Sequence, residues 1–183
     1  MTIHFKYSRR KTTQTQVGNL SIGSDSPIRI QTMANTSTND IEASVAQAKR
    51  CAEAGADLFR FTTQGSREVE SLGKIRATFH SPMPLVADVH FQADVADKAA
   101  AVVEKVRINP GNYVDPARKF IHLSYTDDEY LAELERLRAR FVRLLDICKQ
   151  HHTALRIGVN HGSLSDRIMS RYGDTPEGIV ESC

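Results

Sequence analysis

The sequence predicts an α/β fold, a parallel (β/α) barrel present in part, with about five of the eight strands that such a barrel contains. Three observations lead there. Short apolar stretches recur with polar residues near their ends: Leu58-Phe59-Arg60-Phe61-Thr62, Pro84-Leu85-Val86-Ala87-Asp88-Val89-His90, Lys105-Val106-Arg107-Ile108-Asn109 and Leu155-Arg156-Ile157-Gly158-Val159-Asn160. Each stretch alternates, so Arg60 with Thr62, Asp88 with His90, Arg107 with Asn109 and Arg156 with Asn160 fall on one face, and apolar residues take the other. Segments of helical periodicity separate the stretches, and polar groups gathered at the C-terminal ends of parallel strands are what a ligand-binding barrel rim presents.

Composition narrows the class further. A chain of 183 residues buries a sizeable core in one domain, and 40% hydrophobic with 25% charged residues and no long apolar run suggests neither disorder nor a membrane span. Twenty-four basic against 22 acidic residues give a net charge of +2, too even for nucleic-acid binding, so any basic site is local. Cys51, Cys148 and Cys183 are widely spaced and form no Cys-x-x-Cys pair. That argues against a disulfide framework or a self-contained metal site and fits a reducing compartment, with cytoplasm the default. Residues 7–13 are basic and hydroxyl-rich, as a transit peptide can be. A structured lead-in is the preferred reading, because residues 17–23 form a hairpin pattern able to cover a barrel's lower end.

Residues 27–33 form the first barrel strand, with Arg29, Gln31 and Met33 on one face. Asn39 caps the next helix with Glu42 three residues on, and Ile41, Val45, Ala48 and Ala52 make its stripe before Gly55 ends it. Cys51 sits on that helix as a packed thiol. Gly65-Ser66 opens a helix carrying Val69, Leu72, Ile75 and Phe79, closed by Ser81-Pro82-Met83-Pro84. After the third strand, Val95, Ala99, Val102 and Val103 face the core.

Residues 113–125 form a longer connection, and Thr126 with Glu129 is a capping-box pair opening a helix to about Gln150. Its stripe is Leu131, Leu134, Leu137, Phe141, Leu144 and Cys148. Glu133, Glu135, Arg136, Arg138 and Arg140 between them read as a solvated face with helical ion pairs. His151 and His152 are explained by the helix C-terminus rather than by a metal. Ser163 with Asp166 supplies another cap pair, and Thr175-Pro176-Glu177 starts a further helix. The strand count makes residues 1–183 the N-terminal part of a barrel, whose two unpaired edges favour association.

Four ordered motifs, Ile30-Gln31-Thr32-Met33-Ala34-Asn35-Thr36, residues 84–91, Arg107-Ile108-Asn109-Pro110-Gly111-Asn112 and residues 156–164, resemble those of the 4-hydroxy-3-methylbut-2-enyl diphosphate synthase family. The likeness runs from Tyr7 to the last residue. It implies a TIM-type barrel and an oxidoreductase, dependent on ferredoxin or flavodoxin. Such an enzyme opens the ring of methylerythritol cyclodiphosphate and reductively removes a hydroxyl group in the non-mevalonate route to isoprenoids. It also implies a 4Fe-4S cluster held by three cysteines and a glutamate in a separate C-terminal domain. This chain lacks that domain on the same reading, so it binds no cluster and is inactive alone. Residues 61–65, 123–130 and 160–169 resemble the three-domain branch of plants and some bacteria, which carries an insertion domain. Phe59 and Phe61 replace the valine or isoleucine usual beside the motif arginine and point away from the site.

Arginine offers a fixed fork of donors matched to phosphate oxygens, so Arg60, Arg107 and Arg156 on neighbouring strands are expected to clamp the substrate diphosphate. Asp88 is the one acidic group expected on that face, which leaves three cations short of partners unless an anion binds. Asp88 and His90 are expected to bind or handle a proton, the alternative being an aspartate that orients a histidine as plain structure. Asn109, Asn112 and Asn160 can donate to phosphate or hydroxyl oxygens, and turn chemistry is the competing reading for each. Gln31, Met33 and Asn35 rank second. No metal ligand is expected, and the expected partners are the cyclic diphosphate, ferredoxin or flavodoxin and a second copy in a homodimer. Rival readings are a Schiff-base aldolase, for which Lys105 lies at the wrong strand end, a pterin-binding transferase, and a non-catalytic binding or folding fragment.

Overall fold

The computed structural model describes residues 10–114 and 124–183. The beginning of the basic lead-in, most of the predicted 113–125 connection and Leu123 of the branch motif therefore lie outside the described residues. The chain opens with a hairpin of β1 (Thr15–Val17) and β2 (Leu20–Ile22), paired antiparallel through Val17 and Leu20. Gly18 takes φ +56° in the two-residue turn, which needs a left-handed residue to match strand twist. Val17 is buried against Leu58, Val86 and Ala154 from the lower ends of three barrel strands. The hairpin thus plugs the bottom of the sheet, as predicted.

Above it stand five parallel strands in sequential order: β3 (Gln31–Met33), β4 (Leu58–Thr63), β5 (Leu85–Val89), β6 (Lys105–Ile108) and β7 (Ala154–Ile157). Helices α1 (Ile41–Glu53), α2 (Ser66–Thr78), α3 (Ala93–Ala100) and α4 (Asp127–His151) alternate with them, and α5 (Asp166–Tyr172) and α6 (Pro176–Ser182) follow. The outward face of each central strand is apolar and packs on helices. Phe59 and Phe61 are fully buried there in an edge-to-face pair with centroids 4.9 Å apart, among Val45, Leu72, Ile75 and Ala99. The expected outward direction of both phenylalanines is therefore observed.

Several local expectations differ from the structure. The first barrel strand is three residues long rather than seven, because Asp57 Oδ2 takes the Ile30 N–H at 2.7 Å and Asp57 Oδ1 pairs with Arg29 at 3.4 Å. Asp40, not Asn39, caps α1 by accepting from Ala43 N at 3.0 Å. Asn39 instead bridges to α2 through Glu68 and Ser71. Ser165 rather than Ser163 caps α5, whereas Thr175 caps α6 as predicted. On α4 the capping box of Thr126 and Glu129 forms, but Leu131 is 60% exposed. Arg140 leaves the predicted solvated face to pair with Asp97 and Asp94, at 2.8 and 2.9 Å, which fastens α4 to α3.

Candidate functional site at the strand C-termini

Strand pleating puts Arg60, Asp88, Lys105, Arg107 and Arg156 on the inner face, and cross-strand register decides which of them meet. Asp88 lies opposite Thr62 on one side and Arg107 on the other, while Arg107 also lies opposite Arg156. The Asp88 carboxylate is 1% exposed and both its oxygens are engaged. Arg107 Nη1 donates to Oδ1 at 3.0 Å, and Arg60 Nη2 and His90 Nε2 reach Oδ2, the latter at 3.1 Å. Burial alone would raise the Asp88 carboxyl. The hydrogen bond and charge of Arg60, the charge of Arg107 and the bond to His90 outweigh it and hold the group below its ordinary value.

On the described strands, four cations share this face with one carboxylate. Burial, then the neighbouring charges of Arg156 and Arg60, push the Lys105 ammonium below its ordinary value, which marks the inner face as electropositive. Arg60 Nε is buried without a hydrogen-bond partner. Above the Asp88 hub opens a cleft of about 490 Å³, lined by His90, Arg107, Asn109, Asn112 and Asn160 together with Phe91 and Ser163. Phe91 is 58% exposed and holds φ +65°, a costly left-handed conformation for an aromatic residue.

The expected three-armed arginine clamp is corrected in two respects. Arg60 and Arg107 converge on Asp88, not on open space, because the buried carboxylate attracts both. Arg156 stays exposed and lines a separate cleft of about 460 Å³ with Lys105 and the hairpin. It stands on the last strand of the sheet, so no further strand among the described residues folds it inward. Among the asparagines, Asn109 and Asn160 each use the side-chain oxygen to accept from a glycine N–H two residues on, Gly111 at 3.2 Å and Gly162 at 2.9 Å. Turn chemistry is therefore part of both. Asn112 is 7% exposed and its Oδ1 has no hydrogen-bond partner at the cleft. Gln31, Met33 and Asn35 do not line the cleft.

Sequence reasoning missed Gly158 and Ser163. Arg107 Nη2 donates to Gly158 O at 2.7 Å, and Asn109 Nδ2 donates to Ser163 Oγ at 2.7 Å. A Cβ on Gly111 would stand 1.7 Å from the Ser163 carbonyl oxygen, so only glycine fits there. The one advance signal was glycine beside each motif asparagine.

A family profile described as the GcpE TIM-barrel domain matches residues 12–183. The chain belongs to the GcpE family. All eight candidate site residues fall within the GcpE match. Relatives named 4-hydroxy-3-methylbut-2-en-1-yl diphosphate synthase (flavodoxin) include one from Parabacteroides distasonis, 62% identical over 183 residues, covering 98% of this chain and 30% of the relative. Another, from Bacteroides fragilis, is 62% identical over 182 residues, with 98% and 29% coverage. The chloroplastic ferredoxin form of Oryza sativa is 48% identical over 181 residues, with 97% and 24% coverage. This GcpE chain thus spans about 30% of the length of its bacterial relatives. A solved dihydropteroate synthase from Burkholderia cenocepacia aligns over 91% of this chain and 73% of its own at 15% identity and TM-score 0.47, a likeness that carries no argument.

Proposed function

We propose that this chain is the substrate-binding part of a 4-hydroxy-3-methylbut-2-enyl diphosphate synthase, which opens and reductively dehydroxylates methylerythritol cyclodiphosphate. The observation that carries the reading is the charge imbalance around Asp88, where the guanidinium groups of Arg60 and Arg107 share one carboxylate among the described residues. Two part-buried guanidinium groups on one buried anion leave positive charge uncompensated until a second anion arrives, and linked phosphates supply it. Asp88 fixes the guanidinium planes of Arg60 and Arg107 before the ligand enters. His90, held by the same carboxylate on the cleft wall, is the group suited to carry a proton at the ligand. Asn112 offers a buried Oδ1 acceptor, and a ligand hydroxyl donating to it completes its bonding.

The cofactor belongs elsewhere on this reading. Among the described residues there is no group of three or more His, Cys, Asp or Glu placed to hold a metal. Cys51, Cys148 and Cys183 are all free. These residues do not fit a 4Fe-4S cluster, so its ligands, a C-terminal domain and an insertion domain are assigned outside residues 1–183. Ferredoxin or flavodoxin as donor, a homodimeric assembly and cytoplasmic location complete the proposal.

Titration calorimetry tests it. Methylerythritol cyclodiphosphate is expected to bind, Arg107→Ala to weaken it at least tenfold, consistent with about 1.5–3 kcal/mol for hydrogen bonds to a charged group, and a pterin diphosphate not to compete. Equal affinity in wild type and variant, or displacement by the pterin, counts against the assignment. With reduced flavodoxin present, residues 1–183 alone are expected to give no turnover.

A further inference from the structure

The loop that follows β7 does more than close the cleft. Gly158 has no left-handed φ, so its backbone would suit any residue, and its N–H continues the ladder by donating to Ile108 O at 2.8 Å. What it lacks is a Cβ, and a Cβ there would meet Arg107 Nε at 2.1 Å and Cζ at 2.9 Å. The guanidinium of Arg107 therefore lies across the bare backbone of Gly158. One of its nitrogens binds the Gly158 carbonyl at 2.7 Å and another binds Asp88 at 3.0 Å. Five residues on, Ser163 Oγ takes the amide of Asn109 at 2.7 Å. Arg107 of β6 and Asn109 just after it are thus each seated on the loop that follows the neighbouring strand.

Resting on the diphosphate reading of the site, we infer that Gly158 and Ser163 are positioning residues that aim Arg107 and Asn109 at the ligand. Gly158 does so by leaving space and offering a carbonyl, Ser163 by supplying an acceptor. A methyl at position 158 costs the fold less than a backbone clash would, since the backbone stays anchored to Ile108 and what must move is the guanidinium end of Arg107, straining its bond to Asp88. It is costly for the site, since that side chain is the cleft's central cation.

The test combines Gly158→Ala, Ser163→Ala, Arg107→Ala and the Gly158→Ala/Arg107→Ala double variant, with inorganic diphosphate and the cyclodiphosphate as calorimetric probes. The Arg107 Nε resonance in nitrogen-15 NMR reports the guanidinium without any ligand. Gly158→Ala is expected to move that resonance, lower the thermal midpoint by less than Asp88→Asn does, and weaken the probes about tenfold, the loss of one charged hydrogen bond. Ser163→Ala is expected to weaken them by a smaller factor. The double variant is expected to bind no more weakly than Arg107→Ala, because the glycine acts through the arginine. An unmoved Nε resonance, or additive losses in the double variant, overturns the inference. If Arg107→Ala leaves affinity intact, the diphosphate reading fails, while the resonance still decides whether Gly158 positions the arginine.

Discussion

At the residue scale, Asp88 governs the site because it is the buried anion on which Arg60, Arg107 and His90 converge. Asp88→Asn keeps the shape and leaves two guanidinium groups uncompensated. Removing one partner from a buried ionic cluster costs about 3–5 kcal/mol, and the partial exposure of the arginines puts the expectation near the lower end, readable by urea unfolding. The carboxyl is held below its ordinary value, so the native state binds fewer protons there than the unfolded chain. Its contribution is thus full above about pH 4 and lost as pH falls through the lower folded value. Wild-type stability is expected to drop more steeply than that of Asp88→Asn below about pH 4; parallel pH profiles for the two proteins would refute this.

At the element scale, the two loops after β6 and β7 are built alike. Each carries an asparagine whose side chain accepts from a glycine two residues later, and directly after it makes a single 3-10 turn, Pro110–Asn112 or His161–Ser163. The repeated turn carries both loops over the cleft rim, where Gly111 meets the Ser163 carbonyl. Helix α4 is set by a different local device. Its N-terminus has Thr126 Oγ1 accepting from Glu129 N at 3.3 Å and Thr126 N donating back to Glu129 Oε2 at 2.8 Å. Thr126→Ala is expected to cost about 1 kcal/mol, the usual loss of a cap, with ligand affinity unchanged because the box lies away from the cleft. Chemical denaturation paired with calorimetry separates the two effects.

At the scale of the whole molecule, the described strands form an open sheet whose edges are β3 and β7. Apolar side chains stand exposed at those edges, with Ile28 81%, Ile30 62% and Met33 42% exposed beside β3 and Ile157 36% exposed on β7. Free backbone groups with apolar neighbours invite pairing with another chain. Sedimentation velocity of residues 1–183 is expected to show association rising with concentration, and a strictly monomeric profile at high concentration would contradict it.

By itself the sequence determined the alternation of strands and helices, the outward phenylalanines, the inward row of Arg60, Asp88, Lys105, Arg107 and Arg156, and the bottom hairpin. Bond geometry makes these readable, since a strand's side chains must alternate and a helix's must repeat along one face. The tertiary structure alone decided which partner each inward group takes. Arg107 finds the Gly158 carbonyl 51 residues away and Asn109 finds Ser163 54 residues away, contacts that no local pattern encodes. For the same reason Arg156 stands apart from the Asp88 hub and Arg140 abandons the solvated face for Asp97. Register and loop meeting set those choices, and both come into being only when distant strands are laid side by side.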